Sequence, residues 1–114
     1  MLTTLLLNAT NHVALRGPVT EESVSRAVHA ALALPAPPGV LLLDTPGGSV
    51  FAGQRMIDLV VQLGLACLAV RAHSMGFAIL QHCATRWVTA GATLMQHGMS
   101  VHHVDGDVRR VAAY

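Results

Sequence analysis

Three short stretches carry the groups suited to covalent chemistry: Asp44-Thr45-Pro46-Gly47-Gly48-Ser49, Ala72-His73-Ser74-Met75-Gly76 and Met95-Gln96-His97-Gly98. A serine hydroxyl is a weak nucleophile at neutral pH and needs a base, most often histidine. Ser74, followed by small Gly76, has the pattern of a serine held at a sharp strand-to-helix turn, with its hydroxyl exposed at the end of a sheet. The Met75 N–H would then sit at a helix N-terminus, where developing negative charge is stabilised. The same residues also suit an ordinary serine N-cap. Gly47 and Gly48 let the backbone bring N–H groups close to a ligand, or make a tight turn before a helix. One histidine among seven is more often structural or on the surface than catalytic, and it is the combination with the serine turn that makes His97 a candidate base.

These stretches fall at the ends of strands in the periodicity of the chain. Apolar runs predict strands at 13–15, 39–44, 65–70, 86–89 and 94–97. The continuous run Gly39-Val40-Leu41-Leu42-Leu43-Asp44 has the pattern of a strand covered on both faces in a parallel sheet. Between the strands, Val24, Ala27, Val28, Ala31 and Leu32 recur at helical spacing. Thr20 serves as N-cap, Glu21 and Glu22 lie in the first turn, and Pro35 ends the helix. Met56, Leu59, Val60 and Leu63 mark a second helix stopped by Gly64, and 74–83 a short buried third. Alternating strands and helices with short connections predict a single α/β domain over 1–114, with a mostly parallel sheet. In such sheets ligands bind beyond the carboxyl ends of the strands, where all three stretches lie.

Composition narrows the chemistry. Of 114 residues, 53% are hydrophobic and 11% charged, against roughly 25% charged in ordinary soluble domains. The mean hydropathy is +0.52. No apolar run is long enough to span a membrane, and the first residues lack the basic start of a signal peptide. A net charge of +1 gives no nucleic-acid footprint. All seven basic residues are arginines, which excludes any lysine base or Schiff base. Cys67 and Cys83 lie in apolar stretches without CxxC spacing, and are expected to be buried free thiols in a reducing, cytoplasmic compartment. No metal site is expected, because the His and Cys spacings are not those of ligand sets.

Thr45-Pro46-Gly47-Gly48-Ser49-Val50 with Ala52-Gly53, then His73-Ser74-Met75-Gly76, then Met95-Gln96-His97 together resemble the ClpP-type serine peptidases, in the same order and with similar spacing. The resemblance covers 11–98. It implies a ClpP/crotonase-like ββα-repeat (spiral) fold, with Ser74 as nucleophile and His97 as general base. It further implies that Gly48 and Met75 supply the oxyanion-hole N–H groups, and that Gly47, Ser49 and Val50 bind the substrate peptide as an added strand. No cofactor is implied. The implied partners are a polypeptide substrate, further copies of the chain in a ring, and an ATPase unfoldase or, for a phage-type relative, capsid proteins.

The family's third catalytic residue is an aspartate well beyond the histidine. Asp105 and Asp107 are the only carboxylates after His97, and neither matches that position. The chain is therefore expected to be a C-terminally truncated domain. Two other readings stay open: a catalytically impaired relative that only assembles or binds, and a crotonase-type acyl-CoA enzyme, although the only glutamates are Glu21 and Glu22. An α/β-hydrolase would need an acid between serine and histidine, and none lies between Ser74 and His97. Membrane-bound relatives with a Ser–Lys dyad are excluded by the absence of lysine. The apolar excess predicts that the isolated chain associates.

Overall fold

The computed structural model describes residues 5–35, 39–96, 100–102 and 108–110. Four strands, β1 (His12–Arg16), β2 (Val40–Thr45), β3 (Ala66–His73) and β4 (Thr85–Met95), form an all-parallel sheet in the order β1-β2-β3-β4. Helices α1 (Glu21–Leu32), α2 (Val50–Leu63) and α3 (Met75–Gln81) make the connections. The described residues thus form an α/β fold with three helices on a four-stranded parallel sheet. A separate antiparallel pair, β5 (Ser100–His102) with β6 (Val108–Arg110), was not visible in the sequence pattern.

Local sequence accounts for the helix ends. Thr20 caps α1, its hydroxyl accepting from the Ser23 N–H while Ser23 Oγ accepts from the Thr20 N–H, a reciprocal capping box. Ser49 caps α2 by accepting from the Ala52 N–H. Gly64 closes α2 in the left-handed conformation at φ 63°, open to glycine without a Cβ penalty. Arg55 of α2 pairs with Glu21 of α1, tying the two helices at their exposed edge.

The core lies between the helices and one face of the sheet. Leu41, Leu43, Cys67, Ala69 and Ala72 point into it and meet Val24, Ala27, Met56, Val60 and Ile79. α1 packs on β1 and α2, α2 packs on α3, and α3 packs on β3, so the helices form one layer. This differs from the expectation that β2 is covered on both faces. On the second face Leu42 is buried, but Val40 and Asp44 on either side of it are only half buried. Three leucines in succession at 41–43 carry no period, so the run could not reveal that helices cover a single side.

Two further expectations are corrected. The segments 86–89 and 94–97 were expected to be separate strands, but β4 runs unbroken from Thr85 to Met95. It pairs with β3 in two blocks, Thr85–Val88 against Ala66–Ala69 and Thr93–Met95 against Arg71–His73, so residues 89–92 bow out opposite Val70 alone. Cys67 and Cys83 are buried as expected, but they form a disulfide with a Cα–Cα distance of 5.8 Å. β3 and the turn after α3 come together at that point, which a sequence separation of 16 residues without CxxC spacing did not suggest. Paired in this way, the two cysteines give no reason to place the chain in a reducing compartment. No helix among the described residues is long and apolar enough to cross a membrane.

Candidate active site

The candidate site is assembled at the carboxyl ends of β2 and β3. Beyond β2, Thr45 is fully buried and its Oγ1 accepts a hydrogen bond from the Gly47 N–H at 3.1 Å. That bond turns the chain at Pro46 and sends the two glycines sideways across the sheet end. Gly47 has φ 101° and Gly48 φ 152°, conformations that side chains rarely adopt.

The glycine strip is stitched to Val19, between β1 and α1. The Val19 N–H donates to the Gly47 carbonyl at 2.9 Å, and the Ser49 N–H donates to the Val19 carbonyl at 2.8 Å. Backbone groups alternate in direction along an extended strip, so the Gly48 N–H points away from Val19. It has no hydrogen-bond partner among the described residues. A Cβ on Gly48 would lie 2.4 Å from the Val19 carbonyl oxygen, which is why this position must be glycine.

Beyond β3, Ser74 stands between strand and helix at φ 57°, ψ −116°. It is the one non-glycine residue with positive φ among the described residues. Such strained conformations cost on the order of 1–3 kcal/mol and gather at functional sites. Ser74 occupies the N-cap position of α3, yet its side chain makes no capping hydrogen bond. Ser49, in the equivalent place before α2, does cap. The conformation is held by the backbone: the Ser74 N–H donates to the Met95 carbonyl at 2.9 Å, and its own carbonyl accepts from the Ala78 N–H at 3.1 Å.

The glycine strip and the serine turn touch. A Cβ built on Gly47 would lie 2.8 Å from Ser74 Cβ, 2.9 Å from the His73 carbonyl oxygen and 3.1 Å from the Met75 nitrogen. Glycine therefore lets the two turns close on each other. The helix behind Ser74 is seated by two more close approaches, Gly76 against the Thr45 methyl and Gly53 of α2 against the Met75 side chain. Small residues at 53 and 76 thus let α3 settle between β2 and α2, with Met75 buried.

The sequence-predicted residues fall as follows. Ser74, Met75, Gly47 and Gly48 are brought together as described. Ser49 uses its hydroxyl to cap α2 and its N–H to bind Val19. Val50 is exposed as the first residue of α2. His97, Asp105 and Asp107 lie outside the described residues. β4 ends at Met95, whose carbonyl holds the Ser74 N–H, so the strand leading to His97 runs alongside the serine turn. No group of three or more His, Cys, Asp or Glu among the described residues is arranged to hold a metal ion.

Val19 and Thr45, which hold the glycine strip, were not singled out from the sequence, nor was the ion pair between Asp44 and Arg71. Thr45, two residues before Gly47, had a legible signal in the local turn pattern. Val19 acts only through its backbone, and the ion pair joins residues 27 apart in sequence, so neither had one. No known family model matches the chain, and no curated protein matches it.

Proposed function

We propose that this chain is a ClpP-like serine peptidase domain with the spiral ββα-repeat fold of the ClpP/crotonase group, cleaving peptide bonds by acyl transfer through Ser74. The observation that supports the reading most is the strained Ser74 turn, uncapped by its own side chain, with the Gly47-Gly48 strip packed against it. A common capping serine has no need of that conformation, whereas an exposed nucleophile at a sheet end does.

In this mechanism Ser74 Oγ attacks the carbonyl carbon of a peptide while His97 takes its proton. The N–H groups of Gly48 and Met75 hold the oxyanion. The C–N bond then breaks, and the leaving amine receives the proton from His97. Water, deprotonated by His97, attacks the acyl-enzyme and regenerates the Ser74 hydroxyl. Removing one oxyanion donor typically costs about 10² to 10³ in rate. An assembled ring, supplied with chains by an unfoldase or acting on capsid proteins, belongs to the same reading.

The test is reaction with a fluorophosphonate serine probe. The expected result is a single labelled site that disappears in Ser74→Ala and weakens strongly in His97→Ala. A folded, unlabelled protein would defeat the peptidase reading and leave a domain that assembles without cutting.

A further inference from the structure

We propose that Asp44 and Arg71 act as a positioning pair that holds a one-residue bulge of β3 in register, and thereby sets Ser74 against Gly47. The functional consequence rests on the peptidase reading above.

β2 and β3 advance in step as far as the partners Leu43 and Ala69, but the next partners are Asp44 and Arg71, so Val70 is passed over. The same residue is passed over on the β4 side, where Ala69 pairs with Val88 and Arg71 with Thr93. In an unbroken strand, side chains two apart share a face. Cys67 and Ala69 are fully buried against the helices, so the next in that series, Arg71, would be driven into the core at the large cost of an unpaired buried charge. The extra residue inverts the alternation. Ala72 takes the buried place, and Arg71 emerges on the opposite face.

There Arg71 meets the carboxylate of its own Cα partner. Arg71 Nε lies 3.1 Å from Asp44 Oδ1, and Arg16 Nη1 lies 3.6 Å from Asp44 Oδ2. Arg16 is the Cα partner of Asp44 on β1, so a cation–anion–cation row crosses three strands at the level of the bulge. The Asp44 side chain is 29% exposed, less than either arginine, so the row is only partly screened. A β-strand can slip by one residue unless something pins it, and a slip moves every side chain to the other face.

The row is well placed to control the site. Asp44 lies three residues before Gly47, and Arg71 lies three residues before Ser74. A slip between the strands at this level would be delivered to both sides of the Gly47–Ser74 contact, and would bring His73 to the turn in place of Ser74.

The experiment is a double-mutant cycle of Asp44→Asn and Arg71→Gln on the full chain, read by backbone amide exchange and by the rate of fluorophosphonate labelling. Each single variant is expected to speed exchange at residues 72–75 about threefold to fivefold, with less than a twofold change in α1. Labelling is expected to slow by a similar factor. The double variant should cost no more than the worse single, the mark of a coupled pair. Arg71→Lys, which keeps the charge, should stay close to wild type. Additive effects, or exchange that rises equally in α1, would overturn the proposal. If the single variants do not fold, wild-type exchange at 72–75 in about 1 M salt reads the same row, since screening weakens it; no selective rise there overturns it as well. A wild-type protein that does not label defeats only the peptidase reading, because the exchange measurements report the register without chemistry.

Discussion

Gly47 and Ser74 approach so closely that a methyl group on Gly47 would stand 2.8 Å from Ser74 Cβ. The contact joins the end of β2 to the turn between β3 and α3. The mechanism proposed for Ser74 depends on it, because the same contact brings the Gly47 end of the glycine strip to the Met75 nitrogen, 3.1 Å from a Cβ placed on Gly47.

Gly47→Ala is accordingly expected to be among the most damaging single-methyl changes in the chain. It meets backbone atoms as well as Ser74, and its φ of 101° disfavours any side chain. A loss of about 2–4 kcal/mol is expected. Gly17→Ala is the control: φ is 75° but nothing lies within 4 Å of the added methyl, and a cost of about 1 kcal/mol is expected. Urea denaturation of both variants checks the difference, and equal losses would contradict the contact.

Ser74 carries backbone strain that glycine would relieve. Ser74→Gly is expected to raise stability by about 1 kcal/mol while abolishing probe labelling. Ser49→Ala, by contrast, should lower stability by about 1 kcal/mol through loss of the α2 cap, and Ser74→Ala should show no such capping loss. Thermal melts of the three variants separate a strained serine from a capping one. A destabilised Ser74→Gly would contradict the strain argument.

Gly76 and Thr45 are expected to be coupled. Gly76→Ala would place a methyl 2.5 Å from Thr45 Cγ2. Thr45→Ser removes that methyl yet keeps the hydroxyl that accepts from the Gly47 N–H. The double variant should therefore be more stable than Gly76→Ala alone, by about 1 kcal/mol. Chemical denaturation of the cycle tests this, and simple additivity would speak against it.

The Cys67–Cys83 bond closes a loop that contains the whole Ser74 turn and α3. For a loop of this size the chain-entropy model gives about 3 kcal/mol. Reduction is expected to lower the urea midpoint accordingly and to speed proteolysis within α3 before β1 or β2. Mass spectrometry of the unreduced protein should find no free thiol on either cysteine, and alkylation of both would contradict the bond.

Much of the fold was legible because it is written in local chemistry. The Thr20 cap, the acidic first turn of α1, the left-handed Gly64 and the helical spacing of apolar residues each act over a few positions, and each appears where expected. The turns of the candidate site were legible for the same reason: Pro46-Gly47-Gly48 and Ser74-Met75-Gly76 announce turns that demand glycine or impose strain. His97 and the two later aspartates lie outside the described residues.

What only the tertiary structure decided are the relationships across strands. Leu41, Leu42 and Leu43 are alike in sequence, and only packing sorts them between the helix-facing core and the second face. The bowed segment 89–92 and the passed-over Val70 arise from pairing between strands. Cys67 finds Cys83, and Asp44 finds Arg71, because the parallel sheet brings distant residues to one level. Local sequence thus determined which residues can turn and cap, since those preferences belong to a few neighbouring dihedral angles. Which of them face each other was settled by register, a collective property of strands that no single segment encodes.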